Sequence, residues 1–402
     1  MDASVAASDI GAPSLASVSA DGPVSAAAVA PLTSVPTIVV FLDNGADRAA
    51  RRSHDRRSKA VVAQWIADLL RLPFARDPDA APGPARGRYF VPAETLDSTA
   101  AARLGIRGPG DLFGGMCAHP FVATKLITHP LPRDASPAPP GWSNTLGEAI
   151  AGVVLPGFSA FSVEDATLAG TRLLGDGSVR VKAGGGVGGA GQSVAADAAQ
   201  LAQALEAIDR ADIERDGLVL ERNLREVATR SVGQVRIGPW QASYWGEQHL
   251  TRNRDGDEVY GGSTLHVVRG DWDALLARRL DDAVRRAVEQ AIAYDSAALA
   301  AFPELLATRR NYDVAQGRDD RGRWHSGVLE QSWRIGGASA AEVVALQALR
   351  DDPGRQVVGA STHEVHGDDV RAPSGARVHF DGAAPDGGRL LKYAVLDGDG
   401  QF

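Results

Sequence analysis

Apolar positions change period along the chain, and the period marks the elements. Thr37-Ile-Val-Val-Phe-Leu42 is an unbroken apolar run, as in a strand buried on both faces, and Asp43-Asn-Gly45 supplies a turn after it. From Ser53 to Leu72 the residues Val61, Val62, Trp65, Ile66, Leu69 and Leu70 recur at helical spacing and predict an amphipathic helix. Arg51, Arg52, Arg56 and Arg57 near its start read as a solvated face. A proline-rich loop through Pro84 leads to a strand at Tyr89-Phe-Val91, and strand, helix, strand predicts a small open α/β unit. Residues 1 to about 35 carry no period and almost no charge. With Arg48 as the first basic residue they lack the n-region of a signal peptide and read as a disordered tail.

Asp111-Leu-Phe-Gly-Gly115 and the run His119 to His129 are dense in polar and aromatic residues, and a proline-rich loop follows to Trp142. Val153-Val-Leu-Pro-Gly157 reads as a strand, and Ser162 with Glu164 and Asp165 heads a helix to about Leu174. A strand at Val179, a run of glycines, a second strand at Gln192-Ser-Val-Ala195, a helix from Ala195 to about Asp209 and a strand at Gly217-Leu-Val-Leu-Glu221 come next. Beyond them the pattern is that of an antiparallel sheet, with strands at Val232–Ile237, Gln241–Trp245 and Leu265–Val268. A long helix is expected over Trp272 to Ala300, strands over Arg309–Ala315 and Ser326–Ile335, a helix from Ala340 to Leu349, and short strands in the tail. The fold class expected is α+β.

Composition narrows the function classes. The chain has 402 residues, 44% of them hydrophobic and 23% charged, with a net charge of −8. That balance argues against a nucleic-acid or other polyanionic partner, and no run reaches membrane-spanning length. Cys117 is the sole cysteine, so no intramolecular disulfide forms, which fits a reducing cytoplasm. A lone thiol of this kind is more often buried than nucleophilic. Of 42 basic residues only four are lysines: Lys59, Lys125, Lys182 and Lys392. Where arginine serves every generic need, a lysine marks a place that wants a point charge.

Lys182 is the clearest case, because six glycines follow it between Gly184 and Gly191. An ammonium beside freely exposed backbone N–H groups suits an anion, above all a phosphate. A Walker A loop places its lysine after the last glycine, and a dinucleotide loop must open a helix; neither holds here. The stretch reads as strand, glycine flap, strand, with a plain surface hairpin as the alternative. A second constellation lies downstream. Asp313 and Glu330 fall on strands that look like a hairpin, so their carboxylates can meet on one face. Ser332 and Arg334 continue that face at spacings of two. Hard oxygen ligands of this kind suit Mg2+ shared with a substrate phosphate; a structural ion pair with Arg309 or Arg334 is the alternative.

Together these pieces resemble the ATP-grasp family over roughly residues 36 to 350, and within it a proteobacterial family of unknown function sometimes labelled biotin carboxylase. The resemblance implies a small N-terminal α/β domain (36–118), a linker and lid with the glycine flap (119–220), and a C-terminal antiparallel-sheet domain with the metal ligands (221–402). It implies ATP and Mg2+. Lys125, Lys182 and the flap amides at Gly185, Gly186, Gly188 and Gly189 would meet the phosphates, and Glu221 in the hinge strand the adenine. Asp313, Glu330 and Ser332 would hold metal, and Arg334 would face the reacting group. Two positions depart from the pattern: Ser332 stands where the family carries Asn, and the ribose-binding acid falls near Thr229, leaving Glu226 as a substitute. The implied chemistry is activation of a small-molecule carboxylate as an acylphosphate, then attack by an amine or similar nucleophile. The rivals are a biotin-carboxylase-like activation of bicarbonate, which would need a separate carrier, and a non-catalytic nucleotide sensor. His119, His129 and His249 are candidates for a substrate pocket, and a homo-oligomer is compatible with the family.

Overall fold

Strand β1 (Ile38–Leu42) is wholly buried, as its unbroken apolar run requires, and α1 (Ser53–Leu70) follows it. With β2 (Phe74–Ala75) and β3 (Arg88–Pro92) on its two sides, β1 forms a three-stranded parallel sheet. The computed structural model describes residues 35–44, 53–81, 87–185, 191–384 and 386–398. The expected tail up to residue 34, together with Gly45, Arg51, Arg52, Pro84, Gly186, Gly188 and Gly189, lies outside the described residues. Next come β4 (Leu96–Asp97), α2 (Ser98–Leu104) and β5 (Gly115–Cys117). The polar-aromatic stretch then makes two 3-10 turns, Pro120–Ala123 and Lys125–Thr128, ahead of α3 (Asn144–Ile150).

A four-stranded sheet with its own helices follows. In chain order it comprises β6 (Gly157–Ala160), α4 (Val163–Leu174), β7 (Val179–Ala183), β8 (Gln192–Ala195), α5 (Ala198–Glu206), α6 (Arg210–Asp216) and β9 (Leu218–Arg222). The strands pair in the order β6-β9-β7-β8. Leu173 and Leu201 pack against Val179, Val181 and Leu220 to give this unit a core of its own. The strand expected at Val153–Gly157 begins only at Gly157, because Pro156 has no N–H for a ladder; Val154 makes one bridge to Val328 instead. The helix expected from Ala195 to Asp209 is two helices, because Asp197 and Asp209 each cap a new start.

The largest sheet has eight strands in the order β15-β14-β10-β11-β12-β16-β18-β17, every neighbour antiparallel. They are β10 (Arg225–Ile237), β11 (Trp240–Arg252), β12 (Glu258–Arg269), β14 (Arg309–Arg318), β15 (Trp324–Ser332), β16 (Val357–His366), β17 (Arg377–Ala383) and β18 (Arg389–Gly398), while β13 (Leu306–Ala307) pairs with β5. β10, β11 and β12 run well past the apolar runs that marked them, into halves that mix polar residues and glycine with single apolar ones such as Val227, Leu250 and Tyr260. The single helix expected over Trp272 to Ala300 is α7 (Trp272–Leu276) and α8 (Asp282–Ala301), because Asp281 accepts from Val284 N–H and caps a second start. β15 stops at Ser332 rather than Ile335. The carbonyls of Ser332 and Arg334 accept from Arg309 instead of a strand neighbour.

α9 (Ser339–Asp351) is buried on nearly every side, between α1 and the large sheet. Val343, Leu346 and Leu349 meet Val62, Ile66 and Leu69 of α1 and Val358 of β16, each such side chain contributing about 1.5–3 kcal/mol of burial. This packing sets one face of α1 against the sheet end formed by β16–β18. Among the described residues no helix is long and apolar enough to cross a membrane.

Candidate active site

A cleft of about 1120 Å³ lies between the four-stranded unit and the large sheet and continues to α1 and β16–β18. All four lysines of the chain line it. Each is paired: Lys182 with Glu221 at 2.6 Å, Lys125 with Glu330 at 3.1 Å, Lys59 with Glu94 at 2.9 Å, and Lys392 with Glu364 at 2.9 Å and Asp55 at 3.1 Å. Their side chains are only 4–13% exposed. A buried ammonium is tolerable only beside a counter-charge, so these pairs fix where positive charge sits along the cleft.

On the large sheet, Asp313 and Glu330 are register partners across β14 and β15, with a bulge beginning one residue beyond. Asp313 accepts from Asn311 Nδ2 at 2.9 Å and from Ser231 Oγ at 3.4 Å. Burial first, and the neighbouring Glu330 second, push its carboxyl up to about 6. The two arginines offered as ion-pair partners, Arg309 and Arg334, pair elsewhere. Arg309 is buried against Glu342 of α9 at 2.7 Å, and Arg334 reaches Glu94 at 3.2 Å. Tyr244 Oη lies 2.6 Å from Glu342 and 2.9 Å from Asn311 Oδ1, so a buried Arg309–Glu342–Tyr244 network underlies the carboxylate pair. Ser332 Oγ accepts from Arg309 Nη1 at 3.2 Å, which sets a guanidinium beside the third expected ligand. Among the described residues no group of three or more His, Cys, Asp or Glu side chains is arranged to hold a metal. Two carboxylates with an open side suit a hard cation completed by phosphate oxygens and water.

On the opposite wall, Glu221 of β9 is buried between Lys182 of β7 and His129, whose Nε2 is 3.2 Å away. Burial alone would raise this carboxyl; Lys182 and His129 outweigh it and hold it at about 2. The flap is anchored where glycine is required. A Cβ on Gly184 would lie 2.1 Å from the Asp216 carbonyl, and Gly191 turns with a φ of +74°. Gly185 lines the cleft. Glu226 is exposed, at a bulge with a φ of +51°, and is not among the cleft residues, whereas Thr229 is. Burial pushes the Cys117 thiol up to about 11, which leaves no ready thiolate. Of the three histidines singled out, His129 reaches Glu221, while His119 stacks on Phe121 and His249 bonds Thr264. Lys59, Asp55, Glu94, Glu364, His379 and Lys392 escaped sequence reasoning as site residues; the scarcity of lysine was the available signal for two of them.

The fold is the ATP-grasp fold. The chain is similar to the biotin carboxylase–β,γ-ATP complex from Campylobacter jejuni at 10% identity, covering 90% of this chain and 88% of that one with a TM-score of 0.51. It is also similar to D-alanyl-alanine synthetase A from Vibrio cholerae (14% identity, 75% and 89% covered, TM-score 0.45). A third similar structure is carboxyaminoimidazole ribonucleotide synthase from Aspergillus clavatus complexed with ATP (12% identity, 90% and 94% covered, TM-score 0.47). At these identities the likeness shows the fold. No curated protein matches the sequence. The family model described as "Protein of unknown function (DUF3182)" matches residues 42–394, and the chain belongs to that family.

Proposed function

We propose that this protein is an ATP- and Mg2+-dependent ligase that activates a small-molecule carboxylate as an acylphosphate for attack by an amine or similar nucleophile. The observation that carries the reading is the Asp313–Glu330 pair in one register, with Lys125 on Glu330 and Lys182 across the same cleft. Mg2+, when bound to Asp313 and Glu330, supplies charge neutralisation at the β- and γ-phosphates. Lys125 and Lys182 add two ammonium groups along the phosphate path, and preorganised charge of this kind is where phosphoryl transfer gains most. One carboxylate oxygen of the substrate bonds to the γ-phosphorus as the bond from phosphorus to the ADP oxygen breaks. Arg334, which follows the hairpin and lines the cleft, faces the activated acid. Ser332, with its hydroxyl engaged by Arg309, is the weakest ligand of the set, so the metal rests on the two carboxylates. Hydroxylamine trapping tests the reading. With ATP, Mg2+ and a panel of acids, ADP and a hydroxamate should form together; ADP formation indifferent to every acid overturns it.

A further inference from the structure

Around Arg334 lie two charge triads, of whose members the reading above uses Arg334 alone. In one, Lys392 Nζ sits between Asp55 and Glu364, two carboxylates to one ammonium. In the other, Glu94 sits between Lys59 and Arg334, two cations to one carboxylate. Asp55 and Lys59 lie four residues apart on α1, one helical turn, so the triads are adjacent and opposite in sign. The triads act on each other's charge: burial raises the Asp55 carboxyl, but Lys392 chiefly, with a smaller part from Lys59, holds it at about 2, and Asp55 in turn offsets part of the burial and Arg334 repulsion that lower the Lys59 ammonium. The six groups balance as three carboxylates to three cations, but the signs are sorted in space, with a surplus carboxylate at one triad and a surplus cation at the other.

A third feature points to a ligand at the same end. His379 is 7% exposed and lines the cleft, with Nδ1 2.7 Å from Ser58 Oγ. Its Nε2 is buried without a hydrogen-bond partner among the described residues. Burial and the Lys392 charge hold the ring neutral, at about 3, so Nε2 offers one uncharged hydrogen bond.

We propose that this end binds a zwitterionic amino acid, its carboxylate toward Lys59 and Arg334 and its ammonium toward Asp55 and Glu364. This assignment rests on the ligase reading for its consequence: the carboxylate so held is the one activated. A simple acid would leave the acidic triad unsatisfied, and a simple amine the basic one. Each therefore loses about tenfold or more in affinity.

Calorimetric titration of the full chain, with and without Mg2+–ADP, tests this with matched sets. These are alanine, propionate and ethylamine; phenylalanine, 3-phenylpropionate and phenethylamine; and lysine, 6-aminohexanoate and 1,5-diaminopentane. The expected result is one α-amino acid binding about tenfold or more tighter than the same molecule without its amine or without its carboxylate. Asp55→Asn, with Glu364→Gln as a second variant should the first fail to fold, should bring that preference over the desamino acid close to unity while Mg2+–ADP affinity is kept. Equal binding of desamino acids, preference for amines, no binding by any member, or an unchanged preference in both variants overturns the assignment. Nucleotide affinity from the same titrations is an independent readout. Amino-acid binding without Mg2+–ADP binding would sink the ligase reading and leave this site standing.

Discussion

Asp313→Asn should make the nucleotide-free protein more stable while removing half of its proposed metal site. Burial and the Glu330 charge raise the Asp313 carboxyl from 3.8 to about 6. The folded state thus holds this proton more tightly than the unfolded state does, by about two pH units or about 3 kcal/mol. The sign follows directly. A carboxyl whose folded value lies above its unfolded value is not penalised below about pH 4, and the cost grows as pH rises through about 6. Some solvent reaches the carboxylate at the cleft, so about 2–3 kcal/mol is expected at alkaline pH. Asparagine has the same shape and can still accept from Asn311 through its carbonyl oxygen. Urea denaturation in a chelator, at about pH 4 and about pH 8, measures the difference. The two proteins should be equally stable at the lower pH, and the variant more stable at the higher. Adding Mg2+ with a non-hydrolysable ATP analogue should stabilise the wild type and not the variant. A variant no more stable than wild type at about pH 8 without metal would refute the argument that the pair is strained until a cation joins it.

Glu221→Gln should act in the opposite sense. It strands Lys182 and His129 without their carboxylate and should cost about 3–5 kcal/mol near neutrality by urea denaturation. Because Glu221 is held at about 2, its contribution is present above about pH 4.5 and lost as pH falls toward 2, so the penalty should shrink in acid. Equal neutral stability of variant and wild type would contradict the burial argument. Glu330→Gln should abolish the part of nucleotide affinity that depends on Mg2+, read by titration with and without the metal. Unchanged affinity would remove Glu330 from the metal site.

What was legible in the sequence was what lies within one hairpin or one period. The hairpin pattern let Asp313 meet Glu330 on one face, and the short strand-like runs on either side of the glycines gave strand, flap, strand around Lys182. Helix starts were harder. Apolar spacing runs smoothly through Ala195–Asp209 and Trp272–Ala300, and only the capping aspartates Asp197, Asp209 and Asp281 break it. Arg309 looked available to the acids, but its partner Glu342 belongs to a helix that reads as apolar core. The far end of the cleft was invisible for a different reason. Asp55, Glu94, Glu364 and Lys392 are brought towards Arg334 by α1 packing through α9 on the sheet, and no local pattern links residues that far apart. Only the retention of Lys59 and Lys392 among so many arginines hinted at it.

The central claim is that one cleft transfers phosphate from ATP to a carboxylate. It is met most directly by mass spectrometry of reactions containing ATP, Mg2+, hydroxylamine and amino acids, with the full chain and with Glu330→Gln. The account predicts an amino-acyl hydroxamate formed one for one with ADP by the wild type and by neither the variant nor the metal-free protein. ADP without hydroxamate for any acid, or hydroxamate undiminished in the variant, would contradict it.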